Sequence, residues 1–325
     1  MSITLKEYQD VVGDKLDTSA VIDELRKSSV LLDALTFDDT VSPTGSSFTY
    51  GYVTVATESG AGVRKVGETY TPSEAKKVKK TADVAILGGK YSIDRAIAKA
   101  SEKSFLSEVE FQATQKVKGV KAKFNDLLIN GDSTSSSGEF DGLAKLLTGA
   151  STAFASTVDL TTAAKRTDNA QAFLDEVDEV ISSMDGAPTF ILMNTKALTI
   201  FRSIIRRAGL YTTTKDDMGR VVERYGDAVL VDMGAKAGTS DPVIPTTSNT
   251  SAEGKTDIYF VRLGMDGLHG VTLDGQMIDT VTPNFGTVGA EQVDGLVEMY
   301  AGVALKSTKA AAVLKGVKIV PKAGA

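Results

Sequence analysis

The sequence predicts an α+β fold in which a long two-stranded arm leads into a long helix and then a compact α/β region. Three observations predict it. From Phe48 the pattern alternates, with Phe48, Tyr50 and Tyr52 on one face and Thr49 and Gly51 between them. Between Ser104 and Ile129, the residues Leu106, Val109, Ala113, Val117, Val120, Phe124 and Leu127 recur at spacings of 3, 4, 4, 3, 4 and 3. That is one face of an α-helix. Thr189-Phe190-Ile191-Leu192-Met193 is a continuous apolar run of the kind a strand needs when both its faces are buried.

The elements follow in order. Residues 4–35 read as one or two helices, with a partial apolar stripe from Ile22, Leu25, Val30, Leu31, Leu32 and Leu35 and a break at Asp17-Thr18-Ser19. Pro43-Thr44-Gly45-Ser46 is a turn. The arm is punctuated by Gly60-Ala61-Gly62 and Gly67-Glu68. Its return strand places Val78, Ala82, Val84 and Ile86 on one side, and Lys76-Lys77-Val78-Lys79-Lys80 at its mouth. An isolated hairpin is marginal in water. An arm without a core of its own therefore needs a surface, and a neighbouring copy of the chain is the natural one.

A short helix is expected at about Ser92–Ala100, and the long helix stops at Asn130-Gly131. Ser133 to Gly138 is a polar loop. In the compact region, about 160–275, Phe173, Val177, Val180 and Met184 make an amphipathic helix. Asn194 or Thr195 caps the next helix, carried by Leu198, Phe201 and Ile205 and closed by Gly209. Ala228–Val231 and Ile258–Val261 are strands, and Gly234 to Gly254 between them reads as a long mobile loop. Strands at about 293–306 and 311–320 return the chain to the long helix.

Composition narrows the function classes. With no cysteine, disulfides, thiolate metal sites and cysteine nucleophiles are excluded. No apolar run approaches the ~18 residues of a membrane helix, and Met1–Glu7 lacks the pattern of a signal peptide. Charge alternates along the chain. Residues 1–40 hold nine acids and four bases, residues 61–130 fourteen bases and eight acids, and residues 131–305 thirteen bases and twenty-four acids. Segments of opposite sign can steer subunits together. The acidic arm, 1–40, is expected to dock on the basic surface of 61–130.

No catalytic constellation emerges, and neither a cofactor nor enzymatic activity is expected. The single histidine, His269, has no nucleophile turn to partner it and reads as structural. Gly88-Gly89-Lys90 lacks the remaining residues of a phosphate loop. Asn130-Gly131-Asp132 with Asp141 lacks the central glycine and closing glutamate of a calcium loop. Asp175, Glu176, Asp178 and Glu179 read as the wet face of their helix. Lys76–Lys80 and Arg206-Arg207 offer contacts to nucleic acid, but a net charge of −6 and the absence of tryptophan argue against sequence-specific binding.

Particular strings carry a resemblance. Val21–Leu32 looks like an arm preceding a hairpin. Asp126-Leu127-Leu128-Ile129-Asn130-Gly131 followed by Phe140-Asp141-Gly142-Leu143 looks like the end of a spine helix. Phe190–Asn194 looks like the first strand of an axial domain, and Val297–Ala304 like a peripheral-domain strand. In this order they resemble the major capsid proteins of tailed bacteriophages, with the Hong Kong ninety-seven-type capsid fold, which encapsulin shells also use.

The resemblance implies an N-terminal arm (1–45), an extended β-hairpin loop (46–90), a peripheral domain with the spine helix (91–160) and an axial α/β domain (161–275). The return strands of the peripheral domain and a C-terminal tail (276–325) complete it. It implies a shell of hexamers and pentamers in a virion assembled in the bacterial cytoplasm. A separate scaffolding protein, a portal, decoration proteins and loosely contacted DNA are the implied partners, and no membrane. No lysine–asparagine crosslink can be matched. Inter-subunit contact candidates are Phe48, Tyr50, Tyr52, Glu68, Lys76, Lys77, Lys79 and Lys80 of the hairpin, and Asp23 and Glu24 of the arm. The competing expectations are an encapsulin-like compartment and a soluble α/β enzyme with a mobile arm.

Overall fold

The computed structural model describes residues 30–44, 47–57, 60–101, 107–135, 138–215, 221–249, 252–273, 278–286 and 291–321. Asp23, Glu24 and the rest of the arm before Val30 lie outside them. The described chain opens with a short helix, α1 (Val30–Ala34), and strands β1 (Phe37–Asp38) and β2 (Ser42–Thr44). The hairpin follows as β3 (Ser47–Thr57) and β4 (Lys76–Asp94). Next come α2 (Arg95–Ser101), the spine helix α3 (Glu108–Asn130), α4 (Leu143–Leu146) and β5 (Ala153–Ala155). Helices α5 (Ala163–Asp168) and α6 (Ala170–Ser182) lead to β6 (Phe190–Met193) and α7 (Thr195–Arg207). The remaining strands are β7 (Thr212–Lys215), β8 (Val221–Tyr225), β9 (Ala228–Asp232), β10 (Thr247–Asn249) and β11 (Ala252–Val261). They end with β12 (Leu268–Thr272), β13 (Asp279–Val281), β14 (Gln292–Leu305) and β15 (Ala311–Val320).

These strands form two sheets. One runs β1-β12-β14-β4-β3-β2, with β13 added to β14; the other runs β5-β15-β11-β6-β9-β8-β7, with β10 added to β11. The sheets cut across the blocks expected from sequence. β12, inside 161–275, pairs with β14 in the first sheet, whereas β15, inside 276–325, pairs with β11 and β5 in the second. The final two strands therefore join both halves of the molecule.

Packing explains the apolar patterns. In the spine helix, Val120, Phe124 and Leu127 are buried against Leu87, Val297 and Met299 of the first sheet, and Val109, Ala113 and Val117 flank them. Its described 23 residues span about 34 Å at ~1.5 Å each. β6 is buried on both faces for a stated reason: Phe190 and Leu192 face the spine-helix core, while Ile191 and Met193 face a second core beneath α6 and α7. Asn194 Oδ1 accepts the Ala197 N–H at 2.8 Å and so caps α7.

One expectation holds and one is corrected. The spine helix stops at Asn130 with Gly131 as its C-cap, though this glycine's φ is −58° and not left-handed. The glycine is needed for space: a Cβ there would lie 2.3 Å from the Phe140 carbonyl oxygen and 2.5 Å from that of Leu127. Gly142 faces the same Leu127 oxygen and donates its N–H to the Gly131 carbonyl at 2.9 Å, so two backbones cross at a point only glycine permits. The segment from Gly234 is not a free loop throughout. Val243 and Ile244 are buried, and Asn130 Nδ2 donates to the Val243 carbonyl at 2.7 Å. The spine helix's last residue thus pins that loop.

These contacts set an opposed pair of outcomes. Gly131→Ala is expected to destabilise the protein by about 1–3 kcal/mol, through overpacking against fixed backbone. Gly119→Ala, where an added Cβ meets nothing within 4 Å, is expected to stabilise it by about 0.5–1 kcal/mol. Denaturant midpoints of the two variants check this, and equal losses at both sites would rule out the backbone crossing.

Candidate assembly surface

The hairpin is one register from Phe48↔Val84 through Tyr50↔Ala82, Tyr52↔Lys80 and Val55↔Lys77, with a bulge before Thr57↔Lys76. Strand side chains alternate between faces. Phe48, Tyr50, Tyr52 and Thr54 therefore share a face with Val84, Ala82, Lys80 and Val78. Val53 and Val55 share the other with Lys79 and Lys77. The lysine run at the hairpin mouth is thus split: Lys80 belongs to the inner face, Lys77 and Lys79 to the outer.

The inner face is used inside the subunit, which corrects the expectation of an arm wholly without a core. Tyr50 is 5% exposed and forms a small core with Val84, Val271 and Ala304, with Phe48 and Tyr52 packed beside it. Its hydroxyl donates to Asp38 Oδ2 at 2.9 Å, and the Tyr52 hydroxyl donates to the Leu305 carbonyl at 3.1 Å. The Lys306 ammonium stands 5.5 Å over the Tyr50 ring. Tyr50 is therefore occupied at the root of the hairpin, and the available aromatic surface of Phe48 and Tyr52 is partial.

The outer face is different. Val53 and Val55 are 65% and 61% exposed, and Lys77 and Lys79 lie beside them in water. The Lys79 stem crosses Gly51, where a Cβ would meet its Cε at 3.0 Å. Beyond them every described residue from Gly60 to Lys80 is exposed, including Val63, Val66 and Tyr70. The tip keeps a local shape of its own. Glu68 Oε2 accepts the Lys65 N–H at 3.1 Å, the Glu68 N–H donates to the Lys65 carbonyl, and Gly67 takes φ +92° at the turn. Arg64 lies 5.5 Å over the Tyr70 ring. Glu68 thus shapes the tip as well as presenting a charge. The sequence reading singled out the aromatic positions and passed over Val53, Val55, Val63 and Val66. The signal was there for the first two, which alternate with the tyrosines.

Other sequence candidates find structural uses. Lys145 Nζ sits between Asp132 and Asp141 at 2.5 and 2.9 Å, in the place a calcium ion would need. It holds the Asp132 carboxyl well below the usual range. Glu176 accepts from Ser156 Oγ and Thr157 N, and Asp178 from the Tyr225 hydroxyl, so that acidic helix face is partly tied down. Arg206 stacks on Tyr211, and Arg207 donates to Thr167. Among the described residues no cluster of three metal-binding side chains occurs, and no helix is long and apolar enough to cross a membrane.

His269 is fully buried at the root, edge-on to Tyr50 at 5.5 Å, and among the described residues neither ring nitrogen meets a partner at good hydrogen-bond geometry. Burial pushes its pKa down from 6.5, nearby Lys306 adds to this, and the Gly267 backbone and Asp38 oppose it. A histidine that stays neutral when folded binds fewer protons than in the unfolded chain. Its contribution is full above about pH 6.5 and is lost as the pH falls below that value. The unfolding midpoint of the protein is expected to drop between pH 7 and 5 more steeply than that of His269→Phe. Parallel curves for the two proteins would contradict a neutral buried imidazole.

The architecture is similar to several solved structures. An encapsulin complex from Synechococcus elongatus matches with a TM-score of 0.64 at 14% identity, covering 100% of this chain and 99% of that one. The capsid of a native GTA particle matches at 0.61 and 12% identity, over 98% and 99%. Mycobacterium phage Bobi matches at 0.60 and 12%, over 99% and 100%. No protein-family model and no curated protein matches the sequence. Over its described residues the chain has the Hong Kong ninety-seven-type capsid fold.

Proposed function

We propose that this protein is the repeating subunit of an icosahedral shell, the major capsid protein of a tailed bacteriophage or prophage. The observation that carries the reading is the hairpin. Its root is built into the subunit, while its outer face and tip expose Val53, Val55, Val63 and Val66 with no cover among the described residues. Exposed valines repeated along one projecting face offer apolar area for a contact. A fold shared with capsid chains over almost its whole length makes a second copy the natural cover. In this reading the hairpin lies across a neighbour within and between hexamers and pentamers. Many weak contacts then add up over a closed, symmetric assembly.

Charge orders the encounter. Asp23 and Glu24 of the acidic arm are proposed to meet the basic stretch that holds Lys76, Lys77, Lys79 and Lys80, on the same or an adjacent subunit. A separate scaffolding chain, a portal, decoration proteins and packaged DNA complete the proposed partners, and the virion is the proposed location. The second reading is an encapsulin-like compartment, favoured by the likeness to the Synechococcus elongatus shell. Copurified DNA supports the first and a copurified enzyme the second. Catalysis is no part of either.

Electron microscopy of the purified protein is expected to reveal closed shells, tubes or capsomers, and a compact monomer at every concentration would sink the shell reading. Lys77→Glu with Lys79→Glu, on the outer face, is expected to abolish assembly while leaving the unfolding midpoint within about 0.5 kcal/mol of the parent. Raised salt should slow assembly of the unmodified chain, since surface charge is screened within ~10 Å at 0.1 M. Normal shells from the double variant would remove the outer face from the contact.

A further inference from the structure

We propose that a lysine-rimmed groove between the spine helix and the free edge of β4 holds the phosphate backbone of duplex nucleic acid without reading its sequence. One wall is a helical row, Gln112, Lys116, Gly119 and Lys123, at spacings of 4, 3 and 4. The other is Ile86–Gly89 of β4. Past Ala85, β4 pairs with β14 on one side, while β3 is registered only up to Val84. Among the described residues nothing pairs with the far edge at Ile86–Gly89. The Ala237-Gly238 turn closes one end.

Three features point to phosphate. No carboxylate lines the groove, and the stretch Phe111–Asn125 holds four lysines and no acid. Lys116 reaches over the floor, its ammonium 3.5 Å from where a Gly89 Cβ would stand, and it makes no ion pair among the described residues. Lys123 is shared with Glu139 at 3.2 Å. The lining is rich in glycine, at 88, 89, 119 and 238, so a backbone can approach closely. No aromatic side chain lines the groove, which removes the stacking platform a single strand needs and leaves the duplex. An acidic peptide would call for an apolar anchor pocket, and the exposed apolar lining is Ile86 at the rim.

The partner's identity rests on the shell reading, so the test is set on unassembled, full-length protein, where the two ideas fail separately. Binding of a mixed-sequence DNA duplex is followed by fluorescence anisotropy at stepped salt concentrations. Each phosphate contact contributes about 0.9 to the log–log salt slope. Lys116→Gln with Lys123→Gln is expected to lower that slope by about 1 to 2, and Lys196→Gln with Lys255→Gln, exposed lysines outside the groove lining, to leave it unchanged. Circular dichroism confirms that both variants fold. An unchanged slope in the first variant, or no binding by the parent at low salt, overturns the proposal. Duplex binding gained only in Asp23→Asn with Glu24→Gln would assign the groove to the acidic arm and overturn it as well.

Discussion

β4 belongs to two structures at once. Its first half, to Val84, pairs with β3 in the hairpin; its second half, from Ala85, pairs with β14 beneath the spine helix. The strand is continuous over 19 residues, so the hairpin cannot change direction without bending a strand that the core holds down. Parity reports the handover. Ala85, Leu87, Tyr91 and Ile93 point into the spine-helix core, whereas Val84 points into the small core under Tyr50. A projecting arm on a flexible tether would lose entropy on docking. An arm rooted in a sheet has lost that freedom already.

The root is where this rigidity is most concentrated. Tyr50 is held by Asp38, Lys306 and the His269 ring, and Tyr52 by the Leu305 carbonyl, so contributions from β1, β12 and the end of β14 converge. The Thr40 hydroxyl holds the Asp38 carboxyl below its usual range, with smaller help from Tyr50 and Lys306 and against its partial burial. An acceptor that stays ionised near neutrality keeps the tyrosine hydroxyl bound there. Gly270, on the far side of β12, leaves the space that the Phe37 ring fills, and Phe37 in turn touches Phe124 of the spine helix. The hairpin root and the spine helix are thus two faces of one packed layer.

Much of this was legible in the sequence, and the part that was not has a common cause. The spine-helix stripe from Val109 to Leu127, the doubly buried Phe190–Met193 strand and the helix cap at Asn194, one of the two positions offered, each depend on local periodicity or local chemistry and are found where they were read; Leu106 lies outside the described residues. Periodicity names faces but not partners. The expected blocks therefore grouped 311–320 with the peripheral return strands and β12 with the axial domain, whereas β15 joins the second sheet and β12 the first, a matter of pairing across the chain. The stop at Gly131 was legible without its reason, because a sequence does not display the Phe140 carbonyl that lies against it. The candidate surface was half legible: the hairpin and its lysines stood out, but which lysines share a face required the register. The sequence already argued against a calcium loop at Asp132–Asp141, but that Lys145 bridges the two carboxylates is visible only once the loop is folded.

That register carries the last step. Side chains on a strand have a period of two, so a slip of β3 by one residue against the anchored β4 would send Tyr50 and Tyr52 outward and bring Val53 and Val55 in. The two faces of the hairpin are chemically opposite, aromatic within and valine with lysine without, which makes such a slip costly on both sides at once. The part-buried tyrosine hydroxyls add to this, because a one-residue shift strands both from their acceptors. The bulge after Val55 confines irregularity to the outer end, where the tip carries its own turn at Gly67. The subunit therefore spends its aromatic residues on fixing which face of the arm is presented. The presented face is left to smaller side chains, whose individual contacts are weak enough to be corrected during assembly and numerous enough to hold when repeated.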